Sequence, residues 1–189
     1  MIRLAASTAA LLLASFQHPP TEGLSCSITS DKSCYRVGEV PRLKVTIRNN
    51  GREAVLLPGS LDGSAAGDRL PHAYFTIDKP RPDTVRIAQC KTHNPLAPDD
   101  FRLLPPGGNF DPQGSGFFDD HLARQKESYR NPGTYRIRFY YSTDGTNDGF
   151  HTSRWLPQGS AAQAQLDVLL RQVPRITLRS NELVLRFEE

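Results

Sequence analysis

The sequence predicts an all-β protein, a set of short antiparallel strands packed as a sandwich or barrel, and three observations carry that expectation. From Tyr135 the odd positions run Tyr135, Ile137, Phe139, Tyr141 and the even ones Arg136, Arg138, Tyr140. Such alternation turns one apolar and one polar row to opposite faces of a strand. Leu43, Val45 and Ile47 alternate in the same way with Arg42, Lys44, Thr46 and Arg48. Turn chemistry recurs between such segments, as Asn50-Gly51 and Pro132-Gly133. About eight short strands at near-regular spacing are the pattern of a closed or two-layered β fold.

The chain opens MIRLAASTAALLLASFQ. One arginine precedes an apolar run from Leu4 to Ala14, the length of a secretory signal core and too short to span a bilayer. Residues 1–17 therefore read as a signal peptide ending at Ala14 or Gln17, and the product is expected to be secreted or periplasmic. The remainder, residues 24–189, reads as a single domain. It has no second long apolar run, so no membrane span is expected. The whole chain carries 23 basic and 20 acidic residues, and losing Arg3 leaves 22 against 20. That balance gives no argument for nucleic acid or anionic lipid, and no nucleic acid partner is expected.

Taken in order, LSCSI over 24–28 predicts a first strand and the Leu43–Ile47 alternation a further one. Asn50-Gly51 predicts a tight hairpin whose return strand is Ala54–Leu57. Ser60 to Pro71 is rich in glycine and aspartate and reads as a surface loop. Strands follow at Ala73–Ile77 and Thr84–Ala88, with Lys79-Pro80-Arg81-Pro82-Asp83 turning between them. Residues 89–100 are irregular, and Phe101–Leu104 is a short apolar segment ended by Pro105-Pro106-Gly107-Gly108. Asp119 or Asp120 suits the cap of a helical turn over 121–127. The central strand covers 134–142. After it comes a long loop, 143–160, and then Leu166, Leu169, Leu170 and Val173 at helical spacing, ended by Pro174. The final segment, RITLRSNELVLRF, changes phase at Arg179–Asn181, as a bulge would make it do.

The cysteines are Cys26, Cys34 and Cys90. In an oxidising compartment a disulfide is expected, with Cys26–Cys34 favoured because a turn near Ser30 would make them cross-strand neighbours. Either could pair with Cys90 instead, and lipidation of Cys26 is the minor reading.

The candidate catalytic and metal patterns read as ordinary turn chemistry. Gly114-Ser115-Gly116 lacks the strand–turn–helix context of a serine nucleophile. The doublets Asp99-Asp100 and Asp119-Asp120 diverge on an extended chain and suit turns and caps. Asp144, Asn147, Asp148 and Gly149 echo the start of a calcium loop, but the twelfth position is Trp155 where a bidentate glutamate belongs. Cys90 and His93 have half of a zinc spacing without its complement. No metal and no cofactor is expected.

Three pieces resemble secreted bacterial immunoglobulin-like β-sandwich domains: Tyr35-Arg36-Val37-Gly38-Glu39 leading to a strand ending Arg48-Asn49-Asn50; Pro132-Gly133-Thr134-Tyr135; and Ser180-Asn181-Glu182-Leu183. The Pro132–Tyr135 piece resembles the tyrosine corner of such folds. The resemblance implies an immunoglobulin-like antiparallel sandwich, here with a short helix inserted near the C-terminus. Such frameworks serve several functions, so function rests on the residues of the site and not on the framework. The 143–160 loop gathers Phe150, His151, Arg154 and Trp155, and aromatic residues and arginine are enriched at binding hot spots. The expected function is a secreted, non-enzymatic module that binds a protein or glycan through that loop. The rivals are a hydrolase or metal-dependent enzyme with a site on the inserted loops, and a structural envelope protein.

Overall fold

The structure, a computed structural model, describes residues 23–61, 69–80, 96–114, 123, 126–144 and 160–189. Its strands are β1 (Leu24–Ser30), β2 (Cys34–Arg36), β3 (Leu43–Asn49), β4 (Val55–Pro58), β5 (His72–Asp78), β6 (Phe101–Leu104), β7 (Asn109–Phe110), β8 (Gly133–Ser142), β9 (Thr177–Arg179) and β10 (Leu183–Glu188). Among the described residues an α-helix, α1 (Ala161–Gln172), interrupts them, and the fold is mainly β. The sheets run β1-β3-β7, β2-β10-β8-β5 with β9 also on β8, and β4-β6. All of these pairings are antiparallel except β2 with β10. No described helix is long and apolar enough to cross a membrane.

β8 organises the five-stranded sheet as its alternation predicts. Tyr135, Ile137, Phe139 and Tyr141 are all fully buried. They share one hydrophobic cluster with Val45 and Ile47 of β3 and Leu57 of β4, and Leu43 packs at its margin, partly buried. The strand can start where it does because Gly133 has φ +133, and a Cβ there would meet the Pro80 ring at 2.8 Å. Any other residue would be strained twice, by its backbone and by that contact. The Tyr135 hydroxyl donates to the Asn131 carbonyl at 2.9 Å and so ties the strand to its own turn.

The expected hairpin after β3 does not form. β3 pairs with β1 and β7, while β4 pairs with β6. A tight Asn-Gly hairpin needs positive φ at both turn residues, and neither Asn50 nor Gly51 has it. Instead the buried Asn49 shapes the turn. Its amide donates to the carbonyls of Glu53 (2.7 Å) and Leu104 (2.9 Å), and its Oδ1 accepts from Gly51 N–H (2.9 Å). The close approach here constrains Gly23, where a Cβ would sit 2.8 Å from the Gly51 backbone.

The phase change in the last segment divides it into β9 and β10, both alongside β8. Between them Ser180 N–H donates to Phe139 O, and Ser180 Oγ accepts from Phe139 N–H, each at 2.9 Å. Asn181 then turns to the other sheet. Its Oδ1 accepts from Ile28 N–H (2.9 Å) and its Nδ2 donates to Ile28 O (3.2 Å), as a paired strand residue would. The helix also follows its spacing. Ser160 caps α1 by accepting from Gln163 N–H, Leu166 is fully buried, and Leu169 and Leu170 are half-buried. The expected strand at 84–88 and the helical turn's cap at 119–120 lie outside the described residues.

Candidate functional site

Phe150, His151, Arg154 and Trp155 lie outside the described residues, as do Cys90 and His93. What is described is the base of their loop. Thr143 N–H donates to Ile176 O (2.9 Å), and Thr143 Oγ1 accepts from Ile176 N–H (3.2 Å). The end of β8 is thereby pinned to the chain that returns from α1.

The Cys26–Cys34 bond is not formed, and both are free thiols. The residues between them do not close a hairpin. β1 pairs with β3, which places Cys26 opposite Ile47, whereas β2 crosses to the other sheet and places Cys34 opposite Arg186. Burial pushes the Cys26 thiol up to about 12, so it stays protonated at neutral pH. Cys34 is exposed.

Among the described residues, no group of three or more histidines, cysteines, aspartates or glutamates is close enough to hold a metal ion. Asp100 is a capping residue, as its place in a doublet suggests. Its Oδ2 accepts from Ala97 N–H (2.8 Å) and meets Arg69 Nη1 at 3.3 Å. Arg69 is buried and also donates to Ser60 Oγ (2.7 Å). A buried guanidinium needs such partners, and this knot fastens the chain before β5 to the chain before β6. An opening of about 270 Å³, lined by Pro41, Arg42, Leu43, Phe75, Gln113 and Ala123, has a mixed polar and apolar wall with one charged group.

The arrangement with binding character is the outer face of the five-stranded sheet. Strand pairing places Tyr74 of β5 opposite Tyr140 of β8, and Tyr140 opposite Arg179 of β9. The two rings stack at 5.1 Å between centroids and 8° between planes, and the Arg179 guanidinium lies 5.6 Å from the Tyr140 centroid. Tyr74 remains 43% exposed, so its ring is open to a partner. One row on, Arg138 faces Thr76, and the next row pairs Arg136 with Asp78. Glu182 bridges the two arginines at 2.7 Å to Arg138 and 2.5 Å to Arg136. At the opposite end, His72, Ser142 and Thr177 form a polar row, and burial lowers the His72 pKa so that it is neutral at pH 7.

In the sequence, Arg136, Arg138 and Tyr140 show as the polar row of β8, which by itself reads as a solvated face. Nothing local places Tyr74 and Arg179 beside them. The available signal is an aromatic residue at an outward position in each of two strands. Comparison with known proteins finds no matching family model, no matching curated protein and no matching solved structure.

Proposed function

We propose that this chain is an exported, non-enzymatic, immunoglobulin-like β-sandwich module that binds a protein or glycan partner through the outer face of its five-stranded sheet. Support for the fold reading comes from strand order. β1, β3 and β7 stand where the A, B and E strands of such a sandwich stand, and β5, β8 and β10 where C, F and G stand. The first segment is split, so that β1 joins one sheet and β2 runs parallel to the last strand of the other. Tyr135 begins the F-like strand, and its hydroxyl reaches back four residues, as a tyrosine corner does. Support for export is the Leu4–Ala14 run behind Arg3.

The observation that carries the binding reading is the exposed Tyr74–Tyr140–Arg179 row. Tyrosine offers large contact area with a polar tip at low conformational cost, and arginine adds a planar fork of donors. They also stand on paired strands, which hold them rigidly. The test compares the wild-type chain with the Tyr74→Ala/Tyr140→Ala double variant in capture from native extracellular material and on a glycan array. Wild type is expected to retain a ligand that the variant binds about thirtyfold more weakly, the factor for a loss of about 2 kcal/mol. Because the rings lie on the surface, Tm should fall by only a few degrees. Equal retention by both proteins would contradict this reading.

A further inference from the structure

We infer that the ligand of this face is an anionic glycan, a carbohydrate chain bearing carboxylate or sulfate groups; the inference rests on the binding-module reading above. Charge is the first argument. Glu182 is shared by Arg136 and Arg138, and Asp78 stands opposite Arg136, so those two arginines are balanced and the excess positive charge of the face falls on Arg179. Arg179, one row away, has no carboxylate within ion-pair distance among the described residues, and its contact is the Tyr140 ring. Cation–π contact leaves the outer N–H groups of a guanidinium free to donate, and paired donors of this kind match carboxylate and sulfate oxygens. Asp78 lies two rows beyond Tyr74 on β5, so the arginine without a carboxylate partner, Arg179, is the one in the aromatic row.

Spacing is the other argument. Tyr74, Tyr140 and Arg179 stand in one row across the strands, and Arg138 stands one outward row, about 7 Å, along β8, so guanidinium groups border the Tyr140 ring on two sides. A carbohydrate chain bearing anionic groups offers the complement: C–H surfaces for the rings and oxyanions for the bordering guanidinium groups. An acidic peptide is the weaker fit. Peptides dock by adding a strand to a sheet edge or by laying an apolar helix face into a groove. This is a sheet face whose backbone groups are engaged between strands, and among its described residues the large aliphatic side chain it exposes is Val184.

The test is calorimetric titration of the full chain with oligogalacturonate, a heparin-derived oligosaccharide, a neutral malto-oligosaccharide and a poly-glutamate peptide. At least one anionic oligosaccharide should bind saturably, more weakly as salt is raised. Arg179→Gln should weaken that binding about tenfold or more, with Arg179→Lys intermediate and Tm unchanged in both. Equal affinity for the neutral oligosaccharide would overturn the inference. Tighter binding of poly-glutamate than of either anionic glycan would overturn it in favour of an acidic protein partner. If no anionic glycan binds while wild type, but not the tyrosine double variant, still captures a ligand, the inference fails and the binding-module reading stands. If that capture is also indifferent to the tyrosines, both fail.

Discussion

Phe187→Ala should destabilise the protein by about 3–5 kcal/mol, the range for deleting a fully buried aromatic ring. Phe187 is 1% exposed and lies among three tyrosines, with centroids 4.7 Å from Tyr135, 4.9 Å from Tyr129 and 5.4 Å from Tyr35. Each comes from a different segment, so the cavity left behind cannot be closed by moving one element. The change should be read in chemical denaturation, with Tm lower by on the order of 10 °C. Local effects follow from position. β2 is three residues long and is held to β10 by bonds such as Arg186 N–H to Ser33 O, with Val37 N–H to Glu188 O beyond it. Those amides should lose hydrogen-exchange protection before the rest of the sheet. A loss below about 1.5 kcal/mol would show that the ring is not packed as described.

Phe139→Ala is expected to cost a similar amount, about 3–5 kcal/mol, but to loosen a different region. Phe139 is fully buried in the middle of β8, directly opposite Phe75 of β5, with ring centroids 4.9 Å apart. Its backbone carries the Ser180 bonds that hold the β9–β10 break in place. Exchange should therefore accelerate in β5 and β9 rather than in β2. If both alanine variants loosened the same amides, the division of the core into two separately anchored ends would be wrong.

The two aromatics also show which parts of the fold are readable from sequence. The burial of Phe139 follows from local alternation, because β8 is long enough to repeat its period several times and is preceded by an unambiguous turn. The partners of Phe187 do not follow from it. β2 spans three residues and β7 spans two, too short to show any period. Their pairings join Cys34 to Arg186 and Ile47 to Phe110, distant contacts that no local pattern encodes.

Where a local signal is strong but wrong, a tertiary contact explains it. Asn50-Gly51 satisfies the composition of a tight hairpin, yet Asn49 uses its amide to direct the chain toward β6, and Gly23 packs against the Gly51 backbone. Nearness in sequence likewise suggests pairing Cys26 with Cys34, but Asp31–Ser33 crosses between sheets instead of turning within one.

The candidate surface is half legible. Arg136, Arg138 and Tyr140 are visible as one polar row, and an exposed arginine-rich row is ordinarily just a solvated face. What changes its meaning is the register with β5 and β9, which stacks Tyr74 on one side of Tyr140 and Arg179 on the other. That register pairs Tyr74 with Tyr140 across a long stretch of chain, and is a property of the folded sheet.

The central claim, that ligand binds the outer face of the five-stranded sheet, is tested most directly by amide chemical-shift mapping of the isotopically labelled chain during titration with oligogalacturonate or the heparin-derived oligosaccharide. The account predicts that the largest perturbations fall on Tyr74, Arg138, Tyr140 and Arg179 and their cross-strand neighbours. Perturbations confined to residues 145–159, with Trp155 at their centre and the β5, β8 and β9 amides unmoved, would contradict it.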